Sequence, residues 1–123
     1  MEKTILIVDD FENTLFVTAF TLEQAKFKVL KANSAKHALS FLSAEINIDL
    51  IITDYNMPEL NGLDFVALVK QIPKYIKVPV FVLTTEKSDE VKKRAKQIGV
   101  TAWIQRPFDS NKLIEYVKKT IIT

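Results

Sequence analysis

Five short apolar runs alternate strictly with five segments of helical periodicity along the 123 residues of this chain. The runs have the length of single strands, and the segments between them repeat apolar residues every three or four positions, as amphipathic helices do. Strands joined by helical crossovers lie parallel in one sheet, with helices packed on both faces. The alternation therefore predicts an α/β fold. The predicted strands are Thr4–Val8, Phe27–Ala32, Leu50–Thr53, Val78–Thr84 and Ala102–Ile104.

The helical segments carry local signals for their ends. Ser34, Ser88 and Asp109 are placed to cap the second, fourth and fifth helices, because their side-chain oxygens can accept free backbone N–H groups. Gly99 is placed to end the fourth helix in a left-handed conformation. The first helix is predicted from Glu12 to about Ala25, and the third is predicted to end near Pro73. The predicted inward faces are Leu15, Ala19 and Leu22; Ala35, Ala38, Leu39 and Leu42; Phe65, Leu68, Val69 and Ile72; Val91, Ala95 and Ile98; and Leu113, Val117 and Ile121.

The strand order decides which strand ends meet. We expect an open, doubly wound five-stranded parallel sheet of order 2-1-3-4-5, covered by five helices, with its switch point between strands one and three. Ligands of such sheets bind beyond the carboxyl ends of the strands. Asp9 and Asp10 follow strand one and Asp54 follows strand three, so this order predicts that three carboxylates converge. The alternative for each residue is an ordinary turn former.

The composition is that of a globular domain, with 48% hydrophobic and 26% charged residues. No apolar run approaches the roughly 20 residues that span a bilayer. The net charge of +2 does not by itself indicate nucleic acid. The absence of cysteine excludes disulfides and thiolate metal sites and fits a cytoplasmic location. We expect residues 1–123 to form one domain without a direct nucleic-acid or membrane partner.

Short motifs follow four of the predicted strands. They are Asp9-Asp10 after strand one, Asp54 with Asn56-Met57-Pro58 and Gly62 after strand three, Thr84 at the end of strand four, and Arg106-Pro107-Phe108 after strand five. With these residues, and over essentially its whole length, the chain resembles the receiver domain of two-component response regulators, most of all the chemotaxis-type single-domain members. The resemblance implies the flavodoxin-like receiver fold and a function in two-component phosphorelay signalling. In that function, Asp54 would accept a phosphoryl group from a phosphohistidine of a sensor histidine kinase or phosphotransfer protein.

The resemblance also implies a Mg²⁺ site. Asp10, Asp54 and the backbone carbonyl of Asn56 would be direct ligands, and Asp9 would act mostly through metal-bound water. Clustered carboxylates repel one another, and a divalent cation relieves that repulsion. Carboxylate and carbonyl oxygens with some retained waters are the ligands that Mg²⁺ prefers.

The resemblance further implies a two-state switch. Thr84 would donate its hydroxyl to a phosphoryl oxygen, and its displacement would turn Trp103 inward. The fourth helix, fifth strand and fifth helix would then change their binding to a downstream target protein. For Trp103, half-buried packing on a short strand is the alternative.

One family position departs from the usual pattern, because receivers carry Lys where this chain has Arg106. A planar fork of donors replaces a compact ammonium group, which is not a conservative change at a tight site. A receiver-like interaction module that works without phosphorylation is therefore an alternative function. The resemblance implies a cis peptide bond between Arg106 and Pro107, whereas the glycine that many receivers carry before strand two is absent near Lys26.

A true enzyme, a phosphohydrolase with an aspartyl nucleophile, is a third class. Those enzymes usually carry Asp-x-Asp after the first strand, whereas Asp9 and Asp10 are adjacent. We therefore expect no enzyme activity beyond slow autodephosphorylation.

Overall fold

The alternation of strands and helices is confirmed by the structure, a computed structural model that describes residues 2–122. The strands are β1 (Thr4–Val8), β2 (Lys28–Ala32), β3 (Leu50–Asp54), β4 (Val80–Thr84) and β5 (Ala102–Gln105). The helices are α1 (Glu12–Gln24), α2 (Ala35–Ser43), α3 (Gly62–Val69), α4 (Asp89–Ile98) and α5 (Ser110–Ile121), and a 3₁₀ turn at Pro73–Tyr75 precedes β4.

All five strands are parallel and lie in the predicted order β2-β1-β3-β4-β5. In this register Val8 pairs with Thr53, Asp54 with Leu83, and Thr84 with Gln105. The carboxyl ends of the three central strands and β5 are therefore level with one another. The residues that follow them share one edge of the sheet.

Side chains alternate across the sheet because successive strand residues point to opposite faces. One face packs against α1 and α5, and the other packs against α2, α3 and α4. Both faces are covered, so the central strands contain almost no exposed position. The first face includes Ile5, Ile7, Leu50, Ile52, Phe81 and Leu83, and the second includes Leu6, Val8, Ile51, Val80 and Val82.

The predicted helix ends are largely confirmed. The side chain of Ser34 accepts the His37 N–H at 3.0 Å, and that of Asp109 accepts the Asn111 N–H at 2.8 Å. The Ser88 hydroxyl accepts from the N–H of Val91 at a longer 3.4 Å. Gly99 ends α4 with a φ of 93°. These caps satisfy backbone groups that no helical bond can reach.

The third helix was predicted too long. It ends at Val69, and the chain turns through Lys70 and Ile72 before Pro73. Leu68, predicted to face inward, is 38% exposed, because Phe65, Val66 and Val69 already fill the inner side of this short helix.

Two strands also begin later than predicted, β2 at Lys28 and β4 at Val80. The Val78 N–H bonds to the Tyr75 carbonyl of the preceding turn, and Pro79 has no N–H to donate. Neither residue therefore donates an N–H to the ladder, although the Pro79 carbonyl accepts the Ile51 N–H of β3 at 3.0 Å. At the other edge, the Phe27 N–H bonds to the carbonyl of Leu22 at the end of α1.

Lys26, at the predicted glycine-free position before β2, adopts a φ of 75°. The left-handed loop typical of glycine is therefore kept by a lysine, at a cost of roughly 1 kcal/mol relative to glycine. In residues 2–122 no helix is both long and apolar enough to cross a membrane.

Candidate functional site

The ends of β1 and β3 bring three carboxylates together. One oxygen from each of Asp9, Asp10 and Asp54 lies within 4.8 Å of the others. Adjacent strands of a parallel sheet lie roughly 5 Å apart, so strand order alone accounts for the meeting of residues more than forty positions apart. The predicted convergence at the switch point is confirmed.

Asp9 is the buried member of the cluster, with 2% of its surface exposed. Its Oδ1 accepts the Phe11 N–H at 2.9 Å, and its Oδ2 accepts the Thr14 hydroxyl at 2.6 Å. The guanidinium of Arg106 completes the set, with Nη2 donating to Oδ2 at 3.1 Å. Three donors thus satisfy the oxygens of this buried carboxylate.

Asp54 is half-buried and weakly bonded by comparison. Its Oδ1 accepts the Asn56 N–H at 3.4 Å, beyond the usual range for such bonds. Burial raises the pKa of Asp54; the positive charge of Arg106 opposes this shift, and the negative charge of Asp9 adds to it. The ionised form of Asp54 is therefore disfavoured in this site. An added cation would stabilise that form.

These carboxylates fit a divalent cation in kind and arrangement. Asp10 is exposed and Asp54 is half-buried, so both retain oxygens directed toward accessible space. Asn56 lies exposed in the loop after β3, where its backbone carbonyl is the further oxygen expected from the sequence. Hard oxygen ligands that leave room for waters suit Mg²⁺.

Gly62 holds the loop after β3 against the end of that strand. A Cβ at this position would lie 2.3 Å from the Asp54 carbonyl oxygen and 2.9 Å from the Tyr55 Cα. The Gly62 N–H also donates to the Tyr55 carbonyl at 2.7 Å. Only glycine allows this approach, so the residue is required by contact with the backbone of Asp54 itself.

Thr84 is fully buried at the end of β4. Its Oγ1 accepts the Glu86 N–H at 2.9 Å, which leaves the hydroxyl proton available for another acceptor. Its carbonyl accepts the Arg106 N–H at 2.8 Å, so Thr84 and Arg106 are joined through their backbones. The structure therefore brings Thr84 to the same edge of the sheet as the carboxylates.

Arg106 lies at the end of β5, and its peptide bond to Pro107 is cis, as expected. The sequence indicated a charged group near the site but did not indicate the pairing of Arg106 with Asp9. Thr14, the second partner of Asp9, was missed altogether. Its position in the first turns of α1, five residues after Asp9, was the available signal.

Trp103 lies on β5 away from the cluster and is partly buried. Its ring packs on that of Tyr55, with centroids 5.9 Å apart and planes inclined at 55°. Within the described chain, its buried indole N–H has no hydrogen-bond partner. Because Tyr55 directly follows Asp54, the structure connects Trp103 to the end of β3 by direct contact.

The fold and the site together define a class: a flavodoxin-like α/β domain with an acidic pocket at the topological switch point. A family described as the response regulator receiver domain matches residues 5–118. The chain belongs to this family.

Known proteins of similar sequence support this assignment. The two-component response regulator ORR11 of rice (Oryza sativa subsp. indica) is 34% identical over 103 residues, which cover 84% of this chain and 70% of that protein. The chemotaxis protein CheY1 of Helicobacter pylori is 32% identical over 120 residues, covering 97% of each chain.

A solved structure supports the fold as well. The chemotaxis protein CheY4 of Vibrio cholerae matches with a TM-score of 0.91 and 32% identity, covering 98% of this chain and 99% of that one. The chain therefore resembles chemotaxis-type receivers in fold and sequence.

Proposed function

We propose that the chain accepts a phosphoryl group on Asp54 from a phosphohistidine of a sensor histidine kinase or phosphotransfer protein. An Asp54 carboxylate oxygen attacks phosphorus, the bond from phosphorus to the imidazole nitrogen breaks, and the nitrogen keeps the electron pair. The observation that carries the proposal is the position of Asp54, the half-buried carboxylate of a three-membered acidic cluster at the switch point.

Mg²⁺ is the proposed cofactor; Asp10, Asp54 and the Asn56 carbonyl would hold it directly, and Asp9 would hold it through water. When bound, it supplies positive charge that offsets the charge of the transferring phosphoryl group. Asp54 is then favoured in its ionised form, which is the nucleophilic one.

The hydroxyl of Thr84 is the proposed donor to a phosphoryl oxygen, since its oxygen accepts the Glu86 N–H and that bond does not use the hydroxyl proton. Arg106 adds a positive charge that already acts on Asp54. Binding of the new anion by these groups biases the receiver between two states. Trp103 contacts Tyr55. We propose that Trp103 changes position between the two states and thereby alters binding to a downstream target protein.

An exposed apolar surface beside the pocket supports a proposed docking position for the phosphodonor. Four side chains at the start of α1 and along it are more than half exposed, and we call them the α1 apolar face. Phe16 and Phe20 in this set have ring centroids 6.3 Å apart. The members are Phe11, Phe16, Val17 and Phe20, with 62%, 62%, 56% and 53% exposure.

This face was not predicted from the sequence, because helical spacing selected only the inward side of α1. Phe11 directly follows Asp10, so the face begins at the rim of the acidic cluster. A donor that brings its imidazole to Asp54 covers the surface next to the pocket. We therefore assign the α1 apolar face to the sensor histidine kinase or phosphotransfer protein, whose contact surface would be apolar.

The test is incubation with acetyl phosphate and Mg²⁺, followed by intact-mass measurement. The wild type is expected to gain one phosphoryl group, and the gain is expected to vanish with a chelator. An unmodified wild type, under conditions that label another receiver, would instead favour the phosphorylation-independent interaction module. The pairing of Arg106 with Asp9 is the observation that favours this second function.

We propose no enzyme activity beyond slow loss of the phosphoryl group to water. We also propose a cytoplasmic location. Assays with phosphate monoesters are expected to show no multiple turnover. Sustained release of phosphate from them would assign the chain to the phosphohydrolase class instead.

A further inference from the structure

The side chain of Arg106 lies beside the acidic cluster, where its positive charge acts on the carboxylates. Its backbone N–H is bonded to the Thr84 carbonyl at 2.8 Å, and its side chain is only 17% exposed. Val17, Thr18 and Phe108 line the same small surface pocket as Arg106. The positive charge therefore lies within the site and is mostly shielded from solvent.

The partner of this charge is Asp9, the buried carboxylate of the cluster. Asp9 Oδ2 accepts both Arg106 Nη2, at 3.1 Å, and the Thr14 hydroxyl, at 2.6 Å. With 3% of the Asp9 side chain exposed, the pair is screened very little by salt. Arg106 thus neutralises one of the three charges that a metal would otherwise meet.

The guanidinium is also incompletely satisfied. Its Nε is buried and has no hydrogen-bond partner among residues 2–122. A buried donor without a partner costs free energy, so the pairing with Asp9 leaves part of the guanidinium unsatisfied.

We propose that Arg106 is a positioning residue that serves as an internal counter-cation: it pairs with Asp9 in the unmodified site and thereby weakens divalent-cation binding. This inference rests on the proposed function of the acidic cluster as a Mg²⁺ site. Two cations drawn to the same carboxylates repel each other, so binding of either one opposes the other. Lysine would place its charge as a compact ammonium group on a flexible stem, whereas the contact here is made by one nitrogen of a planar guanidinium.

The test is the Mg²⁺ dissociation constant of unphosphorylated protein, measured by titration calorimetry. Arg106→Gln is expected to bind Mg²⁺ about tenfold more tightly than wild type, within the usual range of such couplings. Arg106→Lys keeps the charge and is expected to shift the affinity less. Arg94→Gln is the matched control, because Arg94 pairs with Asp64 on the surface and is the same change of charge outside the site.

Unchanged or weaker Mg²⁺ binding in Arg106→Gln overturns the proposal, as does an equal gain in Arg94→Gln. An equal gain in Arg106→Lys also overturns it, since shape rather than charge would then be responsible. If Arg106→Gln unfolds without metal, folding that Mg²⁺ restores in this variant supports the proposal, and folding that Mg²⁺ does not restore contradicts it. Failure of Asp54 to accept phosphate, with Arg106-dependent metal binding intact, refutes the proposed function alone.

Discussion

Replacement of Gly62 by alanine tests how the loop after β3 positions the phosphoacceptor. The new Cβ would lie 2.3 Å from the Asp54 carbonyl oxygen, 2.9 Å from the Tyr55 Cα and 3.1 Å from the Asp54 carbonyl carbon. All three neighbours are backbone atoms, so no flexible side chain can move aside. Overpacking of this kind costs about 1–3 kcal/mol, and strain on the 2.7 Å bond from Gly62 to Tyr55 adds about 1 kcal/mol.

We therefore expect Gly62→Ala to lower the free energy of unfolding by about 3 kcal/mol, a large share of the roughly 5–15 kcal/mol of a typical domain. The measurement is urea unfolding with the slope compared between variants. Because Asp54 itself must shift, labelling with acetyl phosphate is expected to fall as well, in conditions where the variant remains folded.

Gly99→Ala is the matched control at the other glycine of the chain. Its φ of 93° strains an alanine, but the nearest atom to the new Cβ is the end of the Lys70 side chain at 3.8 Å. We expect a loss of about 1 kcal/mol and normal labelling. A Gly62→Ala variant as stable and as readily labelled as Gly99→Ala would refute the packing argument.

Three further changes test other parts of the structure. Without metal, the raised pKa of Asp54 means that the folded state binds more protons, so stability falls as pH rises from the ordinary carboxyl pKa through the raised value. Asp54→Asn is expected to unfold at a higher temperature than wild type above that interval and equally below it; a lower temperature at neutral pH would contradict this. Lys26→Gly, at a φ of 75°, is expected to gain up to about 1 kcal/mol in urea unfolding, and a loss would show that the lysine side chain stabilises the loop. Phe20→Ser on the α1 apolar face is expected to slow transfer from a phosphohistidine donor while leaving labelling by acetyl phosphate unchanged, and equal slowing with both donors would remove the docking assignment.

The fold could be predicted from the sequence because the local signals agree with one another. The apolar runs, the caps at Ser34 and Asp109 and the turn at Gly99 each follow from the chemistry of a few neighbouring residues. The strand order came from a rule of parallel sheets, and it was this order that placed Asp54 beside Asp9.

The wrong and missing predictions concern features that tertiary packing determines. Leu68 fits a helical stripe, but a helix that ends at Val69 buries a different side. The pair between Arg106 and Asp9 joins residues 97 positions apart, and nothing local distinguishes a guanidinium directed at Asp9 from one directed at Asp54. The exposed side of α1 was overlooked because Phe16 does not belong to the inward stripe.

Locating the phosphoryl group tests the central claim most directly. After incubation with acetyl phosphate and Mg²⁺, borohydride reduction of an acyl phosphate converts the modified aspartate to homoserine, and peptide mass spectrometry identifies its position. Our account predicts homoserine at position 54 alone. Homoserine at position 9 or 10, or labelling that persists in Asp54→Asn, would contradict it.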